Sequence, residues 1–566
     1  MTTSILFITL IFLVSVLLAW LTGGHMARVY KSEKNILDFL KPFENLLFRL
    51  CRVDPEHNMS RKEYLAAFLI IQVPFFIWGF VVLLLQGSLP FNPAGNPSME
   101  WTLAFNSASS FLTSTNLQHY SGESGATYLS QIGVFMFLQF VSAACSLSAG
   151  IALVRGLSPV SAGKLGNFYK DFVLSITRIL LPLCLIVSTL FVFGGVPMTL
   201  NGPDIIQTLQ GDAATVARGP VAAFLSIKEL GSNGGGFFGA NDAHPFENPH
   251  LFTFALHSVI VFLLPMAFIF MISRYLDQKR FSSITFGIMT AGFLLVTVPV
   301  MITEMQNNPA VKAAGIHTTQ GNMEGKESRF GALYSAFYSG ENVVIPAGTV
   351  TGMHDSYLPL SGLWMLFGMQ VDAFYGGVGS GWINYFIYLL LAAFIGTLMI
   401  GRTPELFGKK IGTREIQITS LVYIIQPLII FGFAALACFV FKLFGGEMLS
   451  WLGNPGAHGF TTMLYEFTSS YAGNGSGFEG LGDNTPFWNI STAAAMLAGR
   501  YVPIVGVMII AGLLSQKTAV GSTTGTLRTD SYSFGIFTFF LIVILSGLSM
   551  LISFLLGPLV DHFYRL

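Results

Sequence analysis

The sequence of 566 residues is poor in charge and in cysteine. Only 10% of its residues are charged, whereas a typical soluble domain carries about 25%, so the composition excludes an ordinary soluble domain. The formal net charge is zero, which argues against nucleic-acid binding because that function needs a basic surface. The four cysteines form neither a disulfide framework nor a CxxC metal site. They are Cys51, Cys145, Cys184 and Cys438.

The sequence also lacks the motifs with which proteins use ATP. It contains neither a G-x-x-x-x-G-K-[ST] phosphate loop nor an Asp-Lys-Thr-Gly phosphorylation motif. The glycine-rich run 376–381 is not a nucleotide loop, because no predicted strand precedes it. Any ATP-driven activity would therefore need a partner subunit, and no organic cofactor is expected.

Hydrophobic residues, by contrast, are abundant and occur in long runs. They make up 52% of the chain, and about 20 apolar residues suffice to cross a bilayer as a helix. We predict an all-α polytopic membrane protein with ten transmembrane helices. Their predicted ranges are 3–23, 65–87, 128–154, 172–194, 252–273, 283–303, 382–401, 416–443, 486–515 and 531–557. The apolar but glycine-rich segment 358–377 could be a broken half of the seventh span.

The distribution of Lys and Arg predicts the orientation of these spans. With the N-terminus outside, the inner loops hold 20 of the 29 basic residues and the outer loops hold six. Basic residues are enriched in cytoplasmic loops. We therefore expect both termini on the outer side of the membrane.

A short neutral pattern recurs four times between the predicted spans. Asn116, Gly234, Gly348 and Gly475 mark equivalent points, separated by 118, 114 and 127 residues. A near-constant spacing indicates one structural unit used four times. Irregular backbone at membrane depth is tolerated where it lines a watery pathway, and converging carbonyls can replace the water shell of a cation. We predict a four-loop ion filter on the outer side.

Each predicted unit consists of a span, a short re-entrant pore helix with its filter loop, and a second span. The four units occupy 65–154, 172–273, 283–401 and 416–515. The first span with its cytoplasmic loop, 1–64, and the last span, 531–566, lie outside this fourfold core.

Motifs along the whole chain resemble the KdpA family, the potassium-transporting subunits of bacterial Kdp P-type ATPases. They are 121–123, 232–238, 243–249, 353–356, 376–381, 401–405 and 484–489. The resemblance implies four potassium-channel-like repeats of helix, pore helix and helix, with one extra helix at each end. It implies selection of K⁺ from outside and transfer to a KdpB-like ATPase subunit. KdpC-like and KdpF-like subunits would complete the complex in the bacterial inner membrane, in contact with lipid.

The resemblance also assigns residues to the filter and to the ion path. The filter residues are Ser114, Thr115 and Asn116; Ser232, Asn233 and Gly234; Pro346, Ala347 and Gly348; and Gly473, Asn474 and Gly475. The filter-adjacent glutamine of the family matches Gln118, whose side-chain oxygen could face an ion. The basic positions linked to gating and ion passage match Arg402, Arg500 and Lys517.

Several assignments have alternatives. Gly377, Gly379 and Gly381 are expected to form a flexible gate below the third filter loop, but they could form a structural kink. Arg500 could act on cations, or it could pair or snorkel. Arg402 and Lys517 could be interfacial only.

The third filter loop departs from the family pattern. The family carries small polar residues before the glycine, whereas this chain has Pro346 and Ala347. Pro346 keeps its carbonyl but has no N–H with which to brace the loop. The ion affinity and the selectivity for K⁺ over Na⁺ could therefore differ from those of the family.

Two other functions compete with an ATP-driven importer. A passive K⁺ channel or transporter of the same fold fits the lack of ATP motifs equally well. A membrane hydrolase could use His244, Glu247 and His250 as a zinc site. Pro245 and Pro249 argue against that site, because they interrupt a helix. We expect His244 and Glu247 to hold the outer loop through hydrogen bonds.

Overall fold

Long apolar helices dominate the computed structural model, which describes residues 2–159, 163–316, 319–399, 401, 403–519 and 528–565. Among these residues, ten helices are long and apolar enough to cross a membrane. In chain order, spans 1 to 10 are Thr2–Tyr30, Arg61–Ser88, Tyr128–Leu157, Phe168–Phe193, Leu251–Leu276, Lys279–Glu304, Ser380–Met399, Thr413–Gly445, Pro486–Ser515 and Tyr532–Ser549. The predicted number of spans is confirmed, and most predicted boundaries lie within four residues of these.

Span 1 continues seven residues beyond its predicted end at residue 23. The predicted end falls at the pair Gly23 and Gly24, but both lie inside the helix. They allow close packing: a Cβ added at Gly23 would lie 2.6 Å from the backbone oxygen of Ala267 in span 5. These glycines therefore serve helix packing rather than helix termination.

Span 10 is shorter than predicted. Its helix ends at Ser549, and Met550 leaves helical geometry with φ −111° and ψ 12°. The chain resumes in short helical segments, Leu551–Phe554, Leu555–Leu559 and Val560–Arg565. The apolar run up to residue 557 thus covers a span and part of a second, bent segment, which hydropathy alone does not separate.

Four pairs of spans each enclose a short helix that ends at one of the recurring loops. Pore helices 1 to 4 are Trp101–Leu112, Val221–Leu230, Gly331–Val344 and Ala457–Ala472. Spans 2 and 3 flank the first, spans 4 and 5 the second, spans 6 and 7 the third, and spans 8 and 9 the fourth. The predicted fold of four helix–pore helix–helix repeats, with spans 1 and 10 outside them, is confirmed.

The third repeat contains a broken second span, as the glycine-rich segment suggested. A helix over Pro359–Val371 ends at Asp372, which adopts a left-handed conformation with φ 42°. The glycine-rich loop 376–381 follows and leads into span 7 at Ser380. The remaining elements lie between the spans. Among the described residues they are Asp38–Leu40, Lys41–Leu50, Gly122–Gly125, Asn241–Ala243, Pro309–Ala313, His354–Ser356, Leu449–Trp451, and two antiparallel hairpins, Asp204–Gln207 with Ala213–Val216 and Glu405–Leu406 with Lys409–Lys410.

Burial divides the spans into inner and outer ones. Spans 3 and 5 bury 89% and 78% of their most apolar stretches, whereas spans 1 and 8 bury 22% and 17%. Apolar side chains on the outer spans are left for lipid or for another membrane protein to cover. The inner spans surround the four loops.

A buried ion pair joins span 6 to the loops of the third repeat. Oε2 of Glu304 lies 2.7 Å from Nζ of Lys326, and both side chains are fully buried. Oε1 of Glu304 accepts hydrogen bonds from the backbone N–H of Leu358 and the hydroxyl of Ser361. The carboxylate thus holds the start of the broken span.

We expect Glu304→Ala to destabilise the protein strongly, because it leaves Lys326 buried without its counter-ion, a change that costs about 3–5 kcal/mol. The measurement is the thermal midpoint and the monodisperse yield in detergent. Glu327→Ala is the matched control, since Glu327 pairs with Arg329 at the surface, where an ion pair contributes about 0–1 kcal/mol. Equal midpoints for the two variants would contradict this role of Glu304.

Candidate ion-binding site

The four recurring loops close into a ring through one repeated contact. We number them loop 1 to loop 4 in chain order, by residues 114–116, 232–234, 346–348 and 473–475. A Cβ added at Gly234 of loop 2 would lie 1.0 Å from the backbone oxygen of Ala347 in loop 3. A Cβ added at Gly348 of loop 3 would lie 2.0 Å from the backbone oxygen of Asn474 in loop 4. One added at Gly475 of loop 4 would lie 1.9 Å from the backbone oxygen of Thr115 in loop 1. Each loop therefore presents a backbone carbonyl to the equivalent residue of the preceding loop.

Asn116 closes the ring where loop 1 meets loop 2. It occupies the position of the three glycines, and its amide Nδ2 donates a 2.7 Å hydrogen bond to the backbone oxygen of Asn233. The contact is again with the carbonyl of the next loop, but a side chain makes it. The four predicted equivalent points are thus brought together.

The backbone conformation explains the choice of residues at the ring position. The φ angles are 56° at Asn116, 85° at Gly234, 66° at Gly348 and 82° at Gly475. Glycine adopts this left-handed region freely, and asparagine adopts it more readily than other residues with side chains. Positive φ and a neighbouring carbonyl together leave little choice besides glycine.

The position two residues earlier shows what is special about loop 3. Ser114, Ser232 and Gly473 all have positive φ, whereas proline holds φ near about −65°. Loop 3 therefore bends differently at Pro346, and the N–H of Ala347 bonds to the carbonyls of Ile345 and Asn342. The missing N–H at Pro346 does not open the ring, because Gly348 still contacts loop 4.

The ring is surrounded by neutral oxygen atoms and by negative helix ends. Each pore helix ends at its loop, and a helix C-terminus carries about half an elementary negative charge. The loops themselves carry hydroxyl, amide and carbonyl groups, and loop residues such as Thr115 and Asn474 are at least 99% buried. Such an arrangement favours a dehydrated monovalent cation over an anion.

Gln118 lies beside the ring and joins loop 1 to loop 2. Its Nε2 donates to the backbone oxygen of Gly236, and its Oε1 accepts the N–H of the same residue at 2.7 Å. Both ends of the side-chain amide therefore bind backbone. An additional contact between Gln118 and an ion stays a prediction.

A cavity of about 30 Å³ adjoins the ring. All four residues two positions before the ring position line it, namely Ser114, Ser232, Pro346 and Gly473. Its volume exceeds the 10–15 Å³ or so that one water molecule needs. The cavity is thus continuous with all four loops and large enough for a small ion or water.

The glycine-rich loop 376–381 forms part of the cavity wall and touches the filter loops. The N–H of Val378 donates a 2.8 Å hydrogen bond to the hydroxyl of Ser232, and Gly377 lines the cavity. Side chains would not fit at its other glycines: a Cβ at Gly379 would lie 2.5 Å from the oxygen of Ser146, and one at Gly381 would lie 1.9 Å from that of Tyr375. The loop fits closely against its surroundings, and a gating motion stays a prediction.

Two of the three predicted basic residues, Arg500 and Lys517, are described, and they do not lie together. Arg500 lines the cavity. It donates hydrogen bonds to the backbone oxygen of Ser142 and to the hydroxyl of Ser146. Lys517 follows the end of span 9, where its Nζ lies 2.6 Å from Oε1 of Glu415. A helix rises about 1.5 Å per residue, so Lys517 lies far from the cavity. Arg402 is outside the described residues.

Sequence reasoning missed a fully buried charged cluster behind loop 2, which we call the Lys228 cluster. Its members are Lys228, Glu229, Asp242, Glu247 and His257. Nζ of Lys228 lies 2.7 Å from Asp242 and 2.9 Å from Glu247. The adjacent charges Lys228 and Glu229, at the end of an otherwise neutral pore helix, were the available signal.

The geometry of the cluster also bears on the hypothesis that His244, Glu247 and His250 form a zinc site. Glu247 is engaged by Lys228, and its second oxygen accepts the N–H of Phe238. His244 stacks on Phe238 with ring centroids 3.8 Å apart and accepts the N–H of Phe246. His244 and Glu247 hold the outer loop through hydrogen bonds, as expected, and this geometry does not support the hydrolase hypothesis.

His119 joins loop 1 to the fourth repeat in a second buried cluster. Its Nε2 lies 3.3 Å from Oε1 of Glu466 and 3.9 Å from Oδ2 of Asp483, and its Nδ1 contacts Oδ1 of Asn489. Burial alone would lower the pKa of His119. The carboxylates of Asp483 and Glu466 outweigh burial and raise that pKa to about 9.

The family model and the related sequences cover all or nearly all of the chain. Residues 9–563 match the family model described as potassium-transporting ATPase A subunit. The chain is 49% identical to a protein of Flavobacterium johnsoniae and 47% identical to one of Flavobacterium psychrophilum, each over 100% of both chains. Both relatives are named potassium-transporting ATPase potassium-binding subunit. Among solved structures, the potassium transporter TrkH from Vibrio parahaemolyticus matches with a TM-score of 0.49 and 16% identity, over 88% of this chain and 97% of that one.

The ring geometry makes a graded prediction for two glycines of loop 4. Gly475→Ala should abolish the thermal stabilisation of the protein by K⁺, because the added Cβ would meet the backbone oxygen of Thr115. Gly473→Ala is the control: it has a similar φ, but the nearest atom to its Cβ would be 3.9 Å away. We expect it to keep the K⁺ response within a few-fold, at a backbone cost of about 1 kcal/mol. The measurement is K⁺-dependent thermal stabilisation of the purified protein, and equal losses would contradict the ring contact.

The raised pKa of His119 predicts a pH-dependent stability. The folded state favours the protonated imidazole of His119. The contribution of this group to folding stability is therefore complete below the unfolded pKa of 6.5 and is lost as the pH rises through about 9. We expect the difference in thermal midpoint between the wild type and His119→Gln to shrink over this range. Comparing the two proteins cancels the effects on stability of other groups that titrate in the same pH range. A difference that is constant from pH 6 to pH 10 or so would contradict the assignment.

Proposed function

The chain belongs to the family of potassium-transporting ATPase A subunits, and on that premise we propose that its ring of four loops is the K⁺-selective filter of an ATP-driven import complex. Family membership makes the chain a K⁺ transport subunit and a multi-pass membrane protein. The proposal adds where the ion binds, how it leaves and which subunits assist. The single observation that carries it is the closed ring, in which each loop offers a carbonyl to its neighbour.

The physical basis of selectivity in this proposal is a cage of neutral oxygens. K⁺ must lose its water on entry, and backbone carbonyls replace that water at modest cost. The ligands would come from residues 114–116, 232–234, 346–348 and 473–475, with Gln118 beside them. The negative ends of four pore helices favour a cation at the same place.

The energy for transport would come from a partner. Since the sequence has no ATP-binding motif, a KdpB-like subunit would hydrolyse ATP and receive the ion. KdpC-like and KdpF-like subunits would complete the complex. The outer spans 1 and 8 expose most of their apolar surface, which leaves room for contact with such subunits and with lipid.

Two neighbouring cavities support a route for the ion. The cavity next to the ring shares Asp372, Asn384, Tyr471, Gly499 and Pro503 with a second cavity of about 40 Å³. The second cavity extends between spans 7, 8 and 9. An ion that passes the ring would move sideways along these cavities.

The gate in this proposal lies where the first cavity meets the ring. Gly377, Gly379 and Gly381 would allow the loop beneath the filter to move, and Arg500 would set the local potential that a cation experiences. Arg402 and Lys517 would act farther along, at the inner side. The complex would lie in the bacterial inner membrane with both termini of this chain outside, and the chain would divide into the six segments defined from the sequence.

The first experiment is the ATPase activity of the complex, co-expressed with its KdpB-like partner, as a function of K⁺, Na⁺ and Rb⁺. We expect stimulation by micromolar K⁺ and none by Na⁺ at the same concentration. The control is the complex with Gly234→Asp, which puts a charged side chain against Ala347 and should assemble without responding to K⁺. Undiminished K⁺ stimulation in that variant would refute the filter assignment.

A passive channel of the same fold makes the opposite prediction. The chain alone, reconstituted in liposomes, would then carry K⁺ flux without ATP, and it would not co-purify with an ATPase subunit in mild detergent. We expect no flux from the chain alone, because the cavities next to the ring are small. K⁺ flux through the isolated chain would overturn the importer proposal in favour of the channel.

A further inference from the structure

A hydrogen-bonded chain of side chains runs from the buried Lys228 to the backbone carbonyl of Gly234, the ring glycine of loop 2. Nζ of Lys228 donates to Oδ1 of Asn241, and Nδ2 of Asn241 donates a 2.7 Å hydrogen bond to the backbone oxygen of Gly234. We propose that Lys228 and Asn241 are positioning residues that fix the direction of the Gly234 carbonyl and thereby set ion discrimination. This inference rests on the proposed filter function of loop 2.

The identity of Lys228 determines which way the Asn241 amide faces. An ammonium group can only donate hydrogen bonds, so the atom of Asn241 next to it must be the oxygen. The NH₂ end is then left to face Gly234, whose carbonyl can only accept. Asn241 itself has φ 51°, a left-handed conformation that asparagine tolerates better than most residues.

Lys228 is itself held in place by complete pairing. Its three N–H groups meet three acceptors: Oδ1 of Asn241, Oδ1 of Asp242 and Oε2 of Glu247. Lys228, Asp242 and Glu247 are fully buried. Burial opposes the charged form, but the carboxylates of Asp242 and Glu247 outweigh it and raise the pKa of Lys228.

The carboxylates extend this support to two other elements. Oδ2 of Asp242 accepts the hydroxyl of Tyr338 on pore helix 3 and lies 3.2 Å from Nδ1 of His257 on span 5. The loop after the second filter is therefore braced against the neighbouring repeat. A displacement of Asn241 would require a rearrangement of the whole buried cluster.

Gly234, like Gly348 and Gly475, has no side chain that could hold its own backbone. Its φ is 85°, and it makes the closest approach of the three to the next loop. Without an external donor, its peptide plane could rotate and withdraw the carbonyl. A carbonyl oxygen has two lone pairs, so a bond to Asn241 leaves one for an ion.

Other ring positions have their own supports. In loop 4, the N–H of Gly475 binds the hydroxyl of Ser469. In loop 1, Asn116 is tied to loop 2 through its side chain. Asn241 is thus the particular support of the loop 2 carbonyl, and discrimination between ions of similar size should be sensitive to it.

The test compares Asn241→Asp and Asn241→Leu in the assembled ATPase complex, with K⁺ and Rb⁺ as the stimulating ions. The aspartate keeps the bond from Lys228 but puts an oxygen against the Gly234 carbonyl. The leucine removes the donor without adding charge. We expect apparent K⁺ affinity to fall by about tenfold in both variants, and the ratio of K⁺ to Rb⁺ affinity to fall as well, with maximal ATPase rate largely retained.

The matched control is Asn248→Asp in the same outer loop. Asn248 is buried, as Asn241 is, but its Oδ1 accepts the hydroxyl of Thr253 and its Nδ2 has no partner within the described residues. The substitution adds the same charge without touching a ring carbonyl, so its K⁺ to Rb⁺ ratio should match the wild type.

Two results would overturn the positioning role. One is a wild-type K⁺ affinity and ion ratio in both Asn241 variants, with the complex assembled. The other is failure of both variants to assemble while Asn248→Asp assembles, which would make Asn241 a folding residue. Failure of the proposed function itself is distinguishable, because the wild-type complex would then show no K⁺ stimulation.

Discussion

The close approach of four backbone loops is the constraint on which the rest of the structure depends. Each loop places a backbone carbonyl against the equivalent residue of the loop before it, at a separation that excludes a Cβ at three of the four positions. Backbone groups at this depth cannot rely on bulk water, so protein must satisfy them. The short pore helices, the surrounding spans and the buried polar clusters follow from that requirement.

Two groups of buried charges have their place in this scheme as supports. Glu304 with Lys326 holds the start of the broken span, and the Lys228 cluster holds the segment after loop 2. A buried ion pair is a weak source of stability but a strong geometric restraint, since removing one partner is costly. Rigid supports of this kind suit a site in which small displacements of carbonyls matter.

The sequence predicts the fold and the location of the ring well, because both leave periodic signals. Hydrophobic runs reveal ten spans, and the spacing of Asn116, Gly234, Gly348 and Gly475 identifies the four loops. Other features leave no such signal. Span 1 is predicted to end at residue 23, whereas the helix continues through Gly23 and Gly24. Their packing against span 5 is a tertiary property that the sequence does not show. The Lys228 cluster was missed because the sequence shows only the adjacent pair Lys228 and Glu229, and folding is what brings Asp242, Glu247 and His257 to it.

The sequence also could not tell which side-chain groups are already engaged. Gln118 looks like a free ligand beside a filter, but both ends of its amide bind Gly236. Pro346 looks like a defect in loop 3, yet the ring contact at Gly348 remains. Hydrogen-bond partners depend on three-dimensional distances, which neither composition nor spacing records.

Asn116 has a consequence for how such a site can evolve. A channel built from four identical chains acquires every filter substitution four times at once, so most changes are drastic. Here the four loops belong to one polypeptide, and a mutation alters one quarter of the ring. Asn116 is such a change: a side chain stands where the other three loops have none, and it replaces a bare backbone contact with a hydrogen bond. Because all four loops belong to one chain, a single substitution can change one loop of the ring and leave the other three as they are.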